Sequence, residues 1–260
     1  MCQLFLSVRR KNTKTLLQKF LKKSETENLK DGFGISWISD DHWRTYKKPF
    51  AAFKDSRIPD IESDIGDSKL VLAHLRYIDK DKMTKAEVKD EIGLQNTHPF
   101  TYKNWVLAHH GDLFFNICSK LERFHVCRRE PSVQNSVSKL YQFISTKHQK
   151  LIKGDTDSEL LFHLFLSILE NLDPNEKGDA MMHSFTKMMD ILKKNKIENS
   201  SNFILANGDC VLIANVYSNN SGMPLKRVDL FMDDVDGMLI SSSKMTDGSK
   251  KIKSNSMFIV

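Results

Sequence analysis

Apolar residues recur along the chain at spacings typical of both strands and helices. Residues 2–8 form an apolar stretch typical of a strand, and the apolar side chains at 16, 17, 20 and 21 then repeat at helical spacing. The pattern predicts a strand followed by an amphipathic helix. Apolar or alternating runs predict further strands at residues 33–38, 42–46, 70–77, 105–109, 203–206, 211–217, 228–232 and 238–242. Asn207-Gly208 predicts a hairpin turn between two of them.

Two helices are predicted in the second half of the chain. Thr156 and Glu159 have the spacing of a capping box, which marks the start of a helix. Its apolar face is made of Leu160, Leu161, Leu164, Phe165, Ile168 and Leu169. A methionine-rich stripe predicts another helix over residues 179–194, with the methionines filling the core. The charged segment 79–93 is predicted to be a surface excursion with a helical turn near 85–90, and it is a candidate lid or specificity loop.

Strands with helices between them indicate a layered α+β fold. With 260 residues, 40% hydrophobic content and no stretch that resembles a linker, we expect a single domain over residues 1–260. The most apolar segment, 160–166, is too short for a membrane span, and the arginines at 9 and 10 come too early for a signal peptide. Four cysteines without C-x-x-C spacing favour a reducing, cytoplasmic setting.

Charge and metal-ligand patterns point to no special partner. The net charge is +6, but the lysines are scattered, and clusters such as residues 9–11 are interpreted as solvated surface charge rather than a nucleic-acid footprint. Cys118, His125 and Cys127 could be metal ligands, yet a fourth ligand is missing and the residues fit strand positions equally well. The acidic cluster at 233–237 is interpreted as a polar turn. We therefore expect no metal and no cofactor.

Cys2 is the strongest candidate for chemistry. If Met1 is removed, as we expect, one residue carries both a thiol and a free α-amine. The α-amine has an ordinary pKa of roughly 7.7–8.0, so it can act as the base that activates its own thiol. The alternative is a small buried residue at the start of an edge strand, since cysteine is commonly buried. Cys2 alone does not decide between the two.

Five further segments of the chain carry short motifs that strengthen the case for Cys2. In chain order they are Asp31-Gly32-Phe33-Gly34, Ala73-His74-Leu75-Arg76, Asn96-Thr97-His98-Pro99-Phe100, Ala108-His109-His110-Gly111 and Gly154-Asp155-Thr156-Asp157-Ser158-Glu159. Together with Met1-Cys2 they resemble the class II glutamine amidotransferases. The likeness is greatest to the stand-alone branch, which also holds γ-glutamyl hydrolases of glutathione breakdown and ergothioneine synthesis. It extends from Cys2 to about Gly208. The resemblance implies the four-layer αββα sandwich of the N-terminal nucleophile hydrolases.

The resemblance also implies roles for individual residues. Cys2 would attack the side-chain amide of glutamine to give a γ-glutamyl thioester and ammonia. Arg76 and Asp157 would bind the α-carboxylate and α-ammonium of glutamine. His74 and His98 would have supporting roles, His98 as a member of the substrate-binding group. Arg76 could instead be a snorkelling surface residue, and Asp157 could merely face the dipole of its helix. The glycine-rich segment 31–34 is expected to supply a tight backbone near the nucleophile.

The oxyanion motif departs from the family pattern. The family usually has His-Asn-Gly, whereas this chain has His109-His110-Gly111. The resemblance places His110 and Gly111 at the oxyanion, and a neutral histidine has one N–H donor to offer there. The leading hypothesis is thus a glutamine amidotransferase-like hydrolase with any ammonia acceptor on a separate enzyme. The alternatives are a γ-glutamyl peptide or amide hydrolase and a catalytically impaired glutamine-binding homologue.

Overall fold

The computed structural model describes residues 1–81, 83–172 and 177–260, and of residues 177–179 only the backbone. The helices are α1 (Thr13–Thr26), α2 (Ile58–Ile65), α3 (Lys85–Glu91), α4 (Phe124–Cys127), α5 (Pro131–Tyr141), α6 (Thr146–Gln149), α7 (Asp157–Leu169) and α8 (Lys177–Lys194). The strands are β1 (Gln3–Val8), β2 (Phe33–Ser39), β3 (His42–Lys48), β4 (Leu70–Leu75), β5 (Phe100–Tyr102), β6 (Trp105–Ile117), β7 (Lys120–Arg123), β8 (Glu198–Ala206), β9 (Val211–Ser218), β10 (Phe231–Asp233), β11 (Met238–Ser241), β12 (Lys250–Lys251) and β13 (Ser256–Ile259).

The strands form two antiparallel sheets. The first has the order β12-β10-β11-β1-β4-β2-β3, and the second has the order β13-β9-β8-β6-β5 with β7 paired to β6. In the first sheet β1 lies between β11 and β4, so residues just outside the start of β1 are close to the end of β4. In the second sheet β6 lies between β5 and β8. The central strands of both sheets contribute the ends that meet at the candidate site.

Alternation along β1 shows how the layers form. Leu4 and Leu6 pack with Val106 and Ala108 of β6 in a cluster between the two sheets. Phe5, on the opposite face of the strand, packs against α1. Burying one such side chain contributes about 1.5–3 kcal/mol. On the far side, α7 and α8 cover the second sheet. The layers are helix, sheet, sheet and helix, so the predicted αββα sandwich is confirmed.

Two predicted strands are longer in the structure, and one begins later. β6 and β8 extend well beyond 105–109 and 203–206. The added part of β8 is polar yet buried, since its side chains bond to a neighbouring loop: the Ser200 hydroxyl donates to the Lys226 carbonyl at 2.7 Å. β10 begins at Phe231 rather than at 228, because the Val228 carbonyl accepts from the Asn215 side chain at 3.0 Å. Polar side-chain bonds of this kind leave no periodic signal.

The predicted capping box of α7 is only half formed. The Thr156 side chain accepts from the Glu159 backbone N–H at 3.2 Å, as expected. The Glu159 carboxylate does not return to Thr156; it accepts from the backbone N–H groups of Lys153 and Gly154 at 3.1 and 2.6 Å. A complete capping box lies instead at the start of α3, between Thr84 and Glu87. The predicted helical turn near 85–90 is confirmed, while residue 82 of that excursion lies outside the described residues.

Two interpretations of charged or ligand-like residues are wrong. Arg10 is not a solvated charge: it is 8% exposed and donates to the Asp233 carboxylate at 3.0 Å. That pair helps to hold the pKa of Asp233 down, to about 2, so the first residue of the predicted polar turn is a buried ion-pair partner. His125 and Cys127 lie in the short helix α4 and not on a strand. The Cys127 thiol donates to the Arg123 carbonyl at 3.2 Å.

Candidate active site

One cavity of about 90 Å³ is lined by six of the residues predicted for the site. Its lining includes Cys2, Arg76, His98, His110, Gly111 and Asp157. These residues come from the start of β1, the end of β4, the segment before β5, the middle of β6 and the first turn of α7. The two central strands and one helix N-terminus therefore converge here. His74, which was predicted to support the site, lies outside this lining and is fully buried.

Cys2 is held by the backbone of Tyr77. The β1–β4 ladder pairs Gln3 with Leu75, which brings the preceding residue beside the chain that follows β4. The Tyr77 N–H donates to Sγ at 3.3 Å, and the thiol faces the Tyr77 carbonyl at 3.5 Å. Burial raises the pKa of the Cys2 thiol, against the opposing effect of the Tyr77 N–H and the Arg76 charge. The thiol consequently needs a base to become a nucleophile at neutral pH.

The glycine-rich segment 31–34 supports the nucleophile indirectly. The Gly32 carbonyl accepts from the Arg76 N–H at 2.8 Å, and the Asp31 carboxylate accepts from the Ile78 N–H at 2.8 Å. These bonds fix the strand end that in turn holds Cys2. Gly32 has φ of +142°, a conformation that L side chains rarely adopt. The tight backbone predicted for this segment thus acts on the thiol indirectly, through the backbone of residues 76–78.

The Arg76 guanidinium already has an internal partner. It donates from Nη2 to the Glu91 carboxylate at 2.5 Å and from Nη1 to the Glu91 carbonyl at 2.8 Å. The other oxygen of the same carboxylate accepts from Arg128 at 2.5 Å. Glu91 is 3% exposed and Arg76 is 5% exposed. Arg76 is therefore not a snorkelling surface residue: it belongs to a buried row of two cations around one anion.

Asp157 occupies the first position of α7, and its carboxylate accepts from the Leu113 N–H at 2.9 Å. Burial and the nearby Asp112 carboxylate raise the pKa of Asp157 to about 7. Asp112 also lines the cavity and lies 3.5 Å from Arg123 and 3.4 Å from His125. The helix dipole favours the anion at this position, but the raised pKa shows that burial and like charge outweigh it. A positively charged group placed beside Asp157 would stabilise the ionised form of its carboxyl group.

Four histidines, His74, His98, His109 and His110, lie near one another, and the last three line the cavity together with Cys2. The rings of His74 and His98 are 4.2 Å apart, and those of His98 and His109 are 6.4 Å apart. Burial holds the pKa of each well below the ordinary value of 6.5, with His109 at about 4 and His110 at about 3. All four are thus neutral at physiological pH. The cluster provides polar N–H groups without adding positive charge.

His110 lines the cavity, and its two ring nitrogens differ in their hydrogen bonding. Its Nδ1 lies 2.9 Å from the Ser242 hydroxyl, while its Nε2 is buried without a hydrogen-bond partner among the described residues. Gly111 follows with φ of +145°, and a Cβ there would collide with the Ser200 backbone oxygen. Only glycine fits between β6 and β8 at this point.

Several residues at the site were missed by reasoning from the sequence. They are Glu91, Asp112, Arg123, Arg128, Ser158 and Ser242. Asp112 directly follows Gly111 and could have been found by extending the oxyanion motif by one residue. Glu91 was noted only as part of a charged excursion. Ser242 is 132 residues from its histidine partner and has no local signal.

The described part of the chain contains neither a candidate metal site nor a candidate membrane-spanning helix. Among residues 1–81, 83–172 and 177–260, no group of three or more His, Cys, Asp or Glu side chains is arranged to hold a metal ion. None of the described helices is both long and apolar enough to cross a bilayer.

Known proteins resemble this chain in both sequence and fold. A family model for the class-II glutamine amidotransferases matches residues 1–131, half of the chain. The "Probable glutamine amidotransferase DUG3" of Saccharomyces cerevisiae is 27% identical over 207 residues, which cover 71% of this chain and 50% of the yeast protein. The chain spans about a third to a half of the length of the curated relatives it matches.

Solved structures extend the likeness to the whole chain. A glutamine aminotransferase class-II domain protein from Silicibacter pomeroyi aligns with a TM-score of 0.60 at 15% identity, covering 99% of this chain and 94% of that one. Glutamine phosphoribosylpyrophosphate amidotransferase from B. subtilis aligns with a TM-score of 0.55 at 13% identity, covering 100% of this chain and 47% of that one. These likenesses show the fold, and the family match with its motifs shows more: the chain belongs to the class-II glutamine amidotransferases.

Proposed function

We propose that this protein hydrolyses the side-chain amide of glutamine, or of a related γ-glutamyl compound, with Cys2 as the nucleophile. One observation carries the proposal: a thiol, a guanidinium, a carboxylate and a neutral imidazole, each at a motif position of the family, line a single cavity. Family membership alone supports an enzyme of this general kind. The arrangement of these four groups supports the specific chemistry.

The reaction requires a nucleophile, a base and donors for the oxyanion. After removal of Met1, the free α-amine of Cys2 takes the thiol proton as Sγ bonds to the amide carbon of the substrate. The carbonyl electrons move to oxygen, and the tetrahedral intermediate collapses as the C–N bond breaks. The departing nitrogen takes the proton and leaves as ammonia. Water then hydrolyses the γ-glutamyl thioester, which releases glutamate and restores the thiol.

Two charged groups suit the head group of glutamine. The guanidinium of Arg76 has five N–H donors, of which Glu91 uses two. Its remaining donors can bind the substrate α-carboxylate, and Arg128 supplies a second positive charge to the same row. The α-ammonium would lie beside Asp157 and Asp112, whose mutual repulsion it would relieve. Charge-assisted bonds at both ends would fix the side-chain amide in one orientation.

The deciding experiment measures ammonia release from L-glutamine by protein whose N-terminus has been checked by intact mass. We expect the mature chain to begin at Cys2, and we expect full-length protein that retains Met1 to be inactive because its α-amine is part of a peptide bond. A γ-glutamyl dipeptide is assayed in parallel. Faster turnover of the dipeptide would favour the γ-glutamyl peptide hydrolase. Binding of glutamine without turnover, on protein that begins at Cys2, would identify the impaired homologue.

A further inference from the structure

Each of two adjacent histidines has a serine hydroxyl at its Nδ1 atom. The Ser242 hydroxyl lies 2.9 Å from Nδ1 of His110, and the Ser158 hydroxyl lies 2.8 Å from Nδ1 of His109. A neutral imidazole carries one proton, and the hydrogen bond at one nitrogen decides which of the two holds it. The other bonds made by each serine therefore set the tautomer of its histidine.

The hydrogen-bond balance at Ser242 has one satisfactory solution. The Ser242 oxygen already accepts from the Leu4 backbone N–H at 2.9 Å. Within the described part of the chain, Nδ1 of His110 is the sole acceptor in reach of the hydroxyl hydrogen. If Nδ1 held the ring proton, the serine oxygen would accept twice and its own buried hydrogen would have no partner. Nε2 has no partner among the described residues in either tautomer, so the additional unpartnered hydrogen on Ser242 decides: the hydroxyl donates to Nδ1 and the ring proton lies on Nε2.

The bonds at Ser158 have the opposite direction. Its hydroxyl donates to the Asp157 carboxylate at 3.3 Å, so its oxygen is left to accept from Nδ1 of His109. His109 then carries its proton on Nδ1, and its Nε2 is a bare acceptor. Neighbouring residues of one strand thus have opposite tautomers, and of the two only His110 offers an N–H donor from Nε2. Burial keeps His110 neutral, with a pKa of about 3, so this difference persists at neutral pH.

We infer that Ser242 is a positioning residue that holds His110 in the tautomer whose Nε2–H points at the substrate oxyanion. The inference rests on the proposed function for the identity of the oxyanion, while the tautomer itself follows from the hydrogen bonds. Ser242 lies one residue beyond β11, and it is bonded twice to Leu4, through the hydroxyl at 2.9 Å and through its own N–H at 3.1 Å. Leu4 is two residues from Cys2. One serine therefore fixes the imidazole relative to the strand that carries the nucleophile.

The test reads the tautomer directly. Protein labelled with ¹⁵N-histidine is compared by long-range ¹H–¹⁵N correlation spectra at pH 7.5, with the His110 signals assigned from a His110→Gln variant. The variants are Ser242→Ala, which removes the hydroxyl, Ser242→Thr, which keeps it, and Ser241→Ala as a matched control. Ser241 is a buried neighbour whose hydroxyl donates to the Ser243 carbonyl, away from the histidine. Ser242→Cys, with its weak donor, replaces the alanine variant if that protein does not fold.

We expect wild type, Ser242→Thr and Ser241→Ala to show His110 protonated at Nε2 alone, and Ser242→Ala to show a mixture of tautomers. In Ser242→Ala kcat should fall about tenfold with KM unchanged, which is less than the loss of a whole oxyanion donor. Protonation at Nδ1 in wild type would overturn the inference, as would a folded Ser242→Ala protein with unchanged spectra and kcat. If wild type releases no ammonia, the proposed function fails and the spectra alone decide the role of Ser242.

Discussion

The two sides of the cavity satisfy their polar groups in opposite ways. On the histidine side, formed by His98, His109 and His110, ring nitrogens lie buried with no hydrogen-bond partner among the described residues. On the charged side, Arg76 is ion-paired to Glu91, and Asp157 accepts from a backbone N–H. The first side therefore has hydrogen-bonding capacity to spare. On the charged side, part of the hydrogen-bonding capacity is already occupied by bonds within the protein.

This difference suits the histidine side to the chemical step and the charged side to substrate recognition. Spare donors in a rigid, buried cluster cost no reorganisation when charge develops on a substrate, which is what oxyanion stabilisation needs. A charged group that is already paired binds a substrate only by sharing or exchanging its partner, so its contribution to affinity is a difference between two pairings. Changes on the histidine side should therefore act on kcat. Changes on the charged side should act on KM, on stability and on the pH dependence of binding.

The largest effect is expected at the thiol itself. Cys2→Ala should abolish ammonia release, with a loss of more than about 1,000-fold, because Cys2 is the one cysteine among the described residues that lines the cavity. Folding should be retained, since within residues 1–81, 83–172 and 177–260 the Cys2 thiol bonds only to the backbone of Tyr77. Cys210→Ser and Cys118→Ser are the controls, because neither residue lines the cavity. Equal losses in all three variants, measured with equal thermal stability, would contradict the assignment of the nucleophile.

The next effect tests the histidine side. His110→Ala should lower kcat by roughly 100–1,000-fold with little change in KM, the cost of one oxyanion donor. His110→Asn should recover only part of this loss, since the shorter side chain cannot both bond Ser242 and reach the cavity wall. Steady-state kinetics with glutamine measures both. A gain in kcat for His110→Asn above wild type would show that the histidine is a poor substitute for the asparagine of the family.

Much of the histidine side could be predicted from the sequence, whereas the internal pairs of the charged side could not. His98, His110 and Gly111 lie in short motifs within or beside strands, where apolar runs set the register. Glu91 had no such signal, because a carboxylate in a charged surface segment looks the same whether it faces solvent or a buried guanidinium. Its pairing with Arg76 depends on how the chain folds back between two residues 15 positions apart.

The fold shows the same contrast. The long apolar strands β1, β2, β4 and β9 were predicted in place. The buried polar part of β8 was missed because its stability comes from side-chain bonds to a loop. Helix α5 was also missed, although Val133, Val137 and Leu140 have helical spacing and Pro131 begins it. That signal was available in the sequence. The pairing of Ser242 with His110 was not, since no local rule connects residues 132 apart.

On the charged side, Glu91→Gln should lower the free energy of unfolding by about 3 kcal/mol, because it leaves the buried Arg76 guanidinium without its anion and removes one anion from Arg128. Saturating glutamine should restore part of this loss, since its α-carboxylate would replace the missing charge. Thermal unfolding with and without glutamine measures both quantities. The stabilisation by glutamine should be larger in the variant than in wild type.

Asp90→Asn is the matched control for Glu91→Gln. Asp90 is the preceding residue of α3, and its pair with Arg129 lies on the surface at 3.6 Å, with side chains 61% and 58% exposed. Exposed pairs contribute roughly 0–1 kcal/mol, so this variant should unfold nearly like wild type. Equal destabilisation of both variants would mean that α3 tolerates no substitution. Glutamine that stabilises Glu91→Gln no more than wild type would separate Glu91 from the carboxylate subsite.

The smallest effect concerns pH, and here one carboxyl group should give opposite slopes in two measurements. Because the pKa of Asp157 is raised to about 7 in the folded protein, the native state holds a proton that the unfolded state has lost between about pH 4 and 7. Its contribution to stability is therefore present at low pH and is lost as pH rises through 7. Binding of the α-ammonium needs the charged form, so it should improve over the same rise.

We accordingly expect KM for glutamine to fall roughly 25-fold from pH 5.5 to 7.5, following the ionised fraction of a group with a pKa near 7, while the stability of the free protein declines. Asp157→Asn should flatten both slopes and keep KM high at every pH. Asp155→Asn is the control, since the side chain of Asp155 is 68% exposed and two residues away. Asp112 and His125 face the same carboxyl group and could carry the slopes instead. If the slopes persist in Asp157→Asn and vanish in Asp112→Asn, the ammonium subsite belongs to Asp112, and the charged side was assigned to the wrong carboxylate.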